Sequence, residues 1–432
     1  MTSSRTKKPR FDDKHIRLRT GESQLQNKTY VFRWTDRFGK RHAAYASTLD
    51  ALREKEEQII VDRHDGIRPD KKSATVNDMF ELWKDIKRGI KDNTRQEYIY
   101  MYDTYVRHSF GNSRIIGVRK SDVRMFYNRL FEDRHLRTGT VDSIHNVLYQ
   151  VFQVAVDDGM IRSNPADNVL REFKRAMGQD GEKRYALTLA QQKLFTDYML
   201  NNARYTHWYP IFFTMLNTGM RVGEITGLRW CDIDFDRNVI SVNHTLVYYA
   251  QGEGRKCGYS VNTPKTKAGI REIPMTSGVV RALQMEKEYQ EAGDITCQTS
   301  VEGYRDFVFL NKNGSVHNQS TLNKAIRRIM RDCNYDVAER YGIDSGAVML
   351  PDFSCHYLRH TFATRLIESG VVGIGTIKDI MGHANIETTL DIYHTVTSEV
   401  KERELTAYEI HMDEAFSGRG ASAGSLLPKA LS

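Results

Sequence analysis

Apolar and polar residues alternate along residues 28–35 and again along residues 40–46, and the turn-forming sequence Asp-Arg-Phe-Gly separates the two runs. An alternation of period two on both sides of a turn predicts a β-hairpin. Ser47, followed three residues later by Asp50, predicts the start of a helix directly after the hairpin. Residues 1–70 are therefore expected to form a small α+β domain.

The next segment, residues 74–175, has a helical period, because its apolar positions recur every three to four residues. Glycines or an Asn-Pro step separate the helical runs, which cover residues 76–86, 95–108, 123–131 and 141–156. This pattern predicts an all-α domain, a small helical bundle.

Residues 183–400 form the largest unit, in which helical spacing surrounds a β-prone middle. Helices are predicted around residues 189–200 and 208–217, strands between residues 239 and 274, and helices again from residue 278 onward. We expect a mainly α-helical domain with a small β-sheet, in a multidomain chain. Residues 401–432 are a predicted tail, rich in Gly, Ser and Ala toward its end.

Charge is distributed unevenly along the chain. The formal net charge is +8, and residues 1–41 alone hold twelve Lys or Arg against four Asp or Glu, a difference of +8. A basic N-terminal segment favours a polyanionic partner, whereas the remainder is close to neutral. The five cysteines are scattered without a C-x-x-C pair, which argues against structural zinc and suits a reducing cytosol.

Membrane and secretory signals are weak. The longest apolar run, residues 209–216, is far shorter than the ~20 residues that cross a bilayer. The charged N-terminus lacks the apolar core of a signal peptide. A cytoplasmic protein with no membrane partner is therefore expected.

Two segments within residues 183–400 place positively charged side chains next to a predicted helix end or turn. Gly219 is expected to end one helix, and Arg221 then begins the next, where backbone N–H groups attract anions. Glu224 lies three residues further on, a spacing at which a carboxylate can hold a guanidinium. Lys265 and Lys267 stand among Pro and Gly between β-prone stretches, which predicts a hairpin tip, and the residues leave open which lysine reaches a site.

A third cationic segment is His356-x-x-Arg359, whose spacing places an imidazole and a guanidinium on one helix face. His360 forms a His-x-x-x-His pair with His356. Zinc sites of this kind need a further ligand and a Glu base, which are not evident nearby, so no metal is expected.

A hydroxyl follows these donors within forty residues. Gly382 is expected to end a helix over residues 374–381, and it stands directly before His383. Asn385 can cap the next short helix, which carries Tyr393 near its end. Together these residue types indicate cationic donors that hold a phosphate and a hydroxyl that attacks it.

The order of these residues resembles the signature of the tyrosine recombinase (phage integrase) family. The residues that carry the resemblance are, in chain order, Arg221, Lys265, His356-x-x-Arg359, His383 and Tyr393. The local sequences T-G-M-R-x-G-E, H-x-L-R-H-T-F-A-T and G-H-x-x-I-x-T-T-x-x-I-Y are also similar. The N-terminal hairpin and helix look like the arm-site binding domain of integrases from conjugative transposons. One departure is His394, since relatives often have this histidine one place later.

The resemblance implies a tyrosine recombinase fold with four parts. Residues 1–70 would be the arm-site DNA-binding domain, 74–175 the core-site DNA-binding domain and 183–400 the catalytic domain. Residues 401–432 would be a tail that docks on a neighbouring subunit and then becomes disordered.

The resemblance also implies a reaction. The hydroxyl of Tyr393 would attack a DNA phosphodiester, giving a 3′-phosphotyrosine and a free 5′-hydroxyl. Strand exchange through a Holliday junction would then insert or excise a mobile element. The remaining roles would be phosphate binding by Arg221, Arg359 and His383, support of Arg221 by Glu224, protonation of the leaving oxygen by Lys265, and assistance in proton transfer by His356. No cofactor is expected, because the covalent link conserves the bond energy.

The expected partner is double-stranded DNA at core and arm sites, bound by a homotetramer on two duplexes in the bacterial cytosol. By analogy with the family, an excision factor and a DNA-bending protein would assist. The candidate arm-site contacts are Arg33, Arg37, Lys40 and Arg41, since a β-ribbon fits the major groove.

The sequence leaves three other hypotheses open. A type IB topoisomerase uses related chemistry, but the added arm-type domain argues against it. A DNA-binding regulator with vestigial catalytic residues is disfavoured by the complete set. A metal-dependent transposase is less favoured still, and undiminished strand exchange in excess chelator would exclude it.

Overall fold

The computed structural model describes residues 10–35, 41–64, 73–176, 186–252, 254, 256–264, 266–342, 345–393, 405–406, 408–410 and 412, without the side chains of residues 62–64, 176 and 391–393. The chain divides into two compact units, Met1–Gly181 and Glu182–Ser432. The finer boundaries of three domains and a tail stay predictions.

The N-terminal residues form short strands and one helix. These elements are β1 (Arg10–Phe11), β2 (Arg17–Leu18), β3 (Glu22–Gln24), β4 (Tyr30–Thr35), β5 (Arg41–Ala46) and α1 (Leu49–His64). Strands β3, β4 and β5 form one antiparallel sheet, in which Tyr30 pairs with Ala46 and Thr35 with Arg41. The pairing of β4 with β5 confirms the two strands of the predicted hairpin, whereas its predicted turn lies outside the described residues. Strand β3 adds a strand that the alternation did not predict.

One face of this sheet packs on α1 through Tyr30, Phe32 and Trp34, as the alternation predicts. The residue that caps α1 lies one position later than predicted. The hydroxyl of Thr48, not that of Ser47, accepts a hydrogen bond from the backbone N–H of Ala51 at 3.3 Å. Thr48 directly precedes the helix, the position from which a cap side chain reaches the first turn.

The second half of the first unit is helical, as predicted. Its helices are α2 (Val76–Ile86), α3 (Asp92–Tyr105), α4 (Lys120–Glu132), α5 (Thr138–Asp157) and α6 (Val169–Ala176). Large side chains such as Phe80, Tyr102 and Phe152 are fully buried in a common core. Thr75 caps α2, because its Oγ1 accepts from the N–H of Asp78 at 3.2 Å.

The second unit surrounds two small sheets with helices. Its elements are α7 (Leu189–Asn201), α8 (Tyr209–Thr218), α9 (Val222–Thr226), β6 (Ile233–Asp234), β7 (Val239–Val242), β8 (Thr245–Gln251), β9 (Lys256–Asn262), β10 (Arg271–Pro274), α10 (Ser277–Ala292), α11 (Gln319–Tyr341), α12 (Cys355–Ser369), α13 (Ile374–Met381) and α14 (Glu387–Tyr393). Helix α8 is buried along most of its length and contacts α7, α10 and α12. Helix α12 also contacts α13 and α14.

The strand pairing corrects one prediction. Strand β9 pairs with β8, whereas β10 pairs with β7, so residues 263–270 connect two sheets and are not a hairpin tip. A short 3₁₀ turn, Lys267–Gly269, lies in this connection. Pro264 has no N–H to extend β9, and Gly269 packs so closely on it that an added Cβ would lie 2.5 Å from the Pro264 Cβ.

Leu187 fixes the start of the second unit to helix α12. Its backbone N–H donates to Thr361 Oγ1 at 3.0 Å, and its carbonyl accepts from Arg365 Nη2. Leu187 itself is buried. None of the helices in the described part of the chain has the length and apolarity needed to cross a bilayer.

Candidate active site

Two helix ends meet at the centre of the site. Gly219 ends α8 with φ 62°, and Gly382 ends α13 with φ 63°, as predicted for both glycines. A Cβ added at Gly219 would lie 2.5 Å from Phe362 Cδ1 and 2.8 Å from Met381 Sδ. Helices α8, α12 and α13 therefore approach one another at a point where a side chain does not fit.

Arg221 is the cap residue directly before α9, two residues after Gly219. Its backbone N–H donates to Glu224 Oε2 at 2.8 Å, and its Nη1 donates to Glu224 Oε1 at 2.8 Å, so the predicted pair is present. Its Nη2 donates to the carbonyl oxygen of Gly382 at 3.0 Å. The Arg221 side chain remains 41% exposed, which leaves it reachable by a ligand.

Arg271, which the sequence reasoning missed, is a second partner of the same carboxylate. Its Nη1 and Nη2 donate to the two Glu224 oxygens at 3.1 Å and 2.8 Å, and its Nε donates to the Ile380 carbonyl at 2.6 Å. The side chain is only 6% exposed. Arg271 stands 47 residues from Glu224, so no local spacing indicates this pair.

Glu224 is therefore a buried carboxylate between two guanidinium groups. Burial by itself raises the pKa of Glu224, but hydrogen bonds and charge from Arg271, followed by Arg221, lower it to about 2. The carboxylate stays ionised at neutral pH and fixes the orientation of both arginines.

Arg359 lies beside Arg221, although 138 residues separate them in the chain. The Arg359 Nη1 donates to the Gly219 carbonyl and its Nη2 to the Met381 carbonyl, each at 2.5 Å. Burial, and next the charge of Arg221, lower the pKa of Arg359 to about 9. The two guanidinium groups thus bind the successive carbonyls of Met381 and Gly382 at the end of α13.

His383 follows these carbonyls and is 7% exposed. Its Nδ1 lies 2.9 Å from Thr389 Oγ1. Burial first, and then the positive charges of Arg359 and Arg221, lower the pKa of His383 to about 4. The imidazole is therefore neutral at pH 7, when it can act as a hydrogen-bond donor through one nitrogen only.

His356 lies exposed in the first turn of α12, three residues before Arg359. Its charge is among those that lower the pKa of His383, so it belongs to the same neighbourhood. His360 is half-buried, and its Nδ1 lies 3.5 Å from the hydroxyl of Thr364.

Two predicted site residues are described in part or not at all. Tyr393 is the last residue of α14, which contacts α12 and α13, and its side chain lies outside the described residues. Lys265 also lies outside the described residues. Its connection is close to the site, because a Cβ added at Gly382 would lie 3.0 Å from the Ala268 carbonyl oxygen. Lys267 is exposed in that connection.

The described site suits an anion. The guanidinium groups of Arg221, Arg271 and Arg359 and the carboxylate of Glu224 give the site a net charge of +2. The side chain of Arg221 is open to solvent. Forked donors of this kind match the oxygens of a phosphate. Within the described residues, no group of three or more His, Cys, Asp or Glu could hold a metal ion.

Of the predicted arm-site contacts, Arg33 and Arg41 are exposed. The register places both on the sheet face opposite the one that packs on α1, and Arg33 Nη1 donates to Ser23 Oγ at 2.9 Å. Arg37 and Lys40 lie outside the described residues.

Comparison with known proteins gives matches for both units. Residues 186–399 match the phage integrase family, and residues 6–63 match the DNA binding domain of Tn916 integrase. The chain is 28% identical over 401 residues to the transposase from transposon Tn916 of Enterococcus faecalis, covering 90% of this chain and 94% of that protein. It is 26% identical to the ICEBs1 integrase of Bacillus subtilis, covering 72% of this chain and 76% of that protein.

The fold also matches a solved structure of a transposon integrase. A fragment of the Tn1549 transposon integrase in complex with a circular intermediate DNA is 27% identical, with a TM-score of 0.66. The match covers 78% of this chain and 100% of that chain.

The fold and these matches define a DNA-binding enzyme of the tyrosine site-specific recombinase class. The chain belongs to the phage integrase family and is homologous to the integrases of conjugative transposons. It is a site-specific recombinase of a mobile genetic element, which it integrates and excises.

Proposed function

We propose that the site cuts DNA at the ends of the element through a 3′-phosphotyrosine at Tyr393 and exchanges strands through a Holliday junction. The observation that carries this proposal is the meeting of Arg221 and Arg359 at the successive carbonyls of residues 381 and 382. Helix α14, which ends at Tyr393, contacts the two helices that bear Arg359 and those carbonyls.

The charge of the site supports the assignment of phosphate binding to Arg221, Arg359 and His383. A phosphodiester is a monoanion, and negative charge on its oxygens increases as the hydroxyl attacks. A net charge of two, held in place before DNA binds, stabilises that increase without reorganisation. Because the His383 ring is neutral, it can add a hydrogen bond to the phosphate without adding a further positive charge to the site.

The nucleophile can be tested with nicked DNA that traps the covalent intermediate. Tyr393→Phe is expected to form no covalent adduct with an element end, because it lacks the attacking hydroxyl. Tyr341→Phe is the matched control, since Tyr341 is 59% exposed at the end of α11 and should form the adduct normally. An adduct with Tyr393→Phe would refute the assignment.

Lys265 is proposed to protonate the departing 5′ oxygen, with His356 assisting proton transfer at the tyrosine. A substrate with sulfur at the 5′ bridging position tests this role, because a thiolate leaves without a proton. Lys265→Ala should cleave ordinary DNA poorly and recover on the sulfur substrate. Lys267→Ala should behave as the wild type, and the reverse pattern would assign the role to Lys267.

The N-terminal sheet is proposed to bind arm sites, and residues 74–175 are proposed to bind core sites beside the catalytic domain, residues 183–400. The match of residues 6–63 to a DNA binding domain supports the first part. Arg41→Ala should weaken arm-site binding and reduce its salt dependence, while core-site binding stays unchanged. Equal loss at both sites would contradict this division.

Assembly is also proposed. Four chains would hold two duplexes, with residues 401–432 docking on a neighbouring subunit, and an excision factor and a DNA-bending protein would set direction in the bacterial cytosol. The measured mass of the complex on paired element ends tests the tetramer, since a complex of two chains would contradict it. Deletion of residues 401–432 should reduce this mass if the tail docks between subunits.

A further inference from the structure

The hydroxyl of Thr389 is the hydrogen-bond partner of the His383 ring. Thr389 is fully buried in α14, four residues before Tyr393, and its Oγ1 lies 2.9 Å from His383 Nδ1. Among the described residues, the Thr389 hydroxyl makes no other hydrogen bond, and His383 Nε2 has no protein partner. One ring nitrogen thus faces the protein, and no described residue binds the other.

The donor and acceptor roles in this hydrogen bond depend on which ring nitrogen carries the hydrogen. Burial and the charge of Arg359 hold the pKa of His383 at about 4, so the ring carries a single N–H at neutral pH. When the hydroxyl of Thr389 donates to Nδ1, the hydrogen of the ring must be on Nε2, which then donates outward. In the other tautomer, Nε2 presents a lone pair that repels a phosphate oxygen.

We propose that Thr389 is a positioning residue, whose hydroxyl holds His383 in the tautomer with hydrogen on Nε2 and so provides a donor for the phosphate that is cut. This inference rests on the proposed function of the site. Valine at position 389 has the shape of threonine but cannot donate. The His383 ring then either buries an unpaired Nδ1 or moves its hydrogen to Nδ1, and the outward donor is lost in that case.

The rate of covalent adduct formation on nicked element ends measures the effect. Thr389→Val should slow this step at least about tenfold, because an unpaired buried ring nitrogen disfavours the competent tautomer. Thr389→Ser keeps the hydroxyl and should stay within about threefold of the wild type. Thr388→Val is the matched control, since Thr388 is the exposed neighbour in the same helix and its change should have no effect.

A double mutant separates this role from simple docking of α14. If Thr389 acts through the ring, Thr389→Val should cause no further loss in a His383→Ala background. If Thr389 only packs the helix that ends at Tyr393, the two losses should multiply, which would overturn the inference. DNA binding and circular dichroism of each variant confirm that the slowed step is not loss of the fold.

Two further outcomes separate this inference from the proposed function. A wild-type chain that forms no adduct on its element ends would overturn the proposed function and the inference with it. A normal wild-type adduct together with an unimpaired Thr389→Val, or with a Thr389→Ser as slow as Thr389→Val, would overturn the inference alone.

Discussion

Glu224 holds two of the arginines of the site, so neutralising it tests how the site is built. Its pKa falls from an ordinary 4.5 to about 2, which corresponds to about 3 kcal/mol at neutral pH, at about 1.4 kcal/mol for each tenfold change in proton affinity. Glu224→Gln keeps the shape and removes the charge. We expect the second unit to lose about 3 kcal/mol of unfolding free energy, as when one partner of a buried ion pair is removed.

A urea titration followed by hydrogen exchange measures this loss in the right part of the chain. Peptides covering residues 221–226 and 271–274 report the second unit separately from residues 1–181. Glu272→Gln is the control, because Glu272 is 54% exposed and pairs with the exposed Arg237, so its change should stay below about 1 kcal/mol. A Glu224→Gln variant within about 1 kcal/mol of the wild type would refute the reasoning.

The same carboxylate gives a second readout in its pH dependence. Because the pKa of Glu224 is lowered by folding, its stabilisation is complete above pH 4.5 and is lost as the pH falls through about 2. The difference between wild type and Glu224→Gln should therefore shrink from about 3 kcal/mol at pH 7 to about half of that near pH 3. A difference that stays constant over this range would mean that the charge of Glu224 does not hold the arginines.

Four other predictions concern side chains and glycines of the site. Gly219→Ala should destabilise the second unit by at least about 1 kcal/mol, since its φ is 62° and the new Cβ would lie 2.5 Å from Phe362. Gly375→Ala, with nothing within 4 Å of the new Cβ in α13, should stabilise it by about 0.5–1 kcal/mol in the same urea assay. Because folding lowers the pKa of His383 from 6.5 to about 4, stability should fall as the pH drops between these values, and His383→Gln should remove that part of the slope. Arg359→Lys should reduce adduct formation on nicked DNA about 100-fold, because an ammonium cannot span the two carbonyls that the guanidinium joins; adduct yield near the wild-type level would contradict this.

The features that the sequence predicted depend on neighbouring residues. Gly219 and Gly382 end their helices because a left-handed residue is favoured at that position, whatever the rest of the fold does. The pair of Arg221 and Glu224 lies within one helical turn. The helix over residues 374–381 is bounded by its own glycines, and its predicted limits agree with α13.

The features that the sequence did not predict depend on distant parts of the chain. Arg271 reaches Glu224 only because β10 pairs with β7, and that pairing also removes the expected hairpin tip around Lys267. No periodicity within a strand states which strand is its neighbour. The partnership of Thr389 with His383 is local, only six residues apart, but it depends on how α14 turns back toward α13.

The anchoring of Leu187 has a mechanical consequence. Thr361 and Arg365, which bind its two backbone groups, stand two and six residues after Arg359 in α12. Movement of Leu187 would therefore displace helix α12 and, with it, the guanidinium of Arg359.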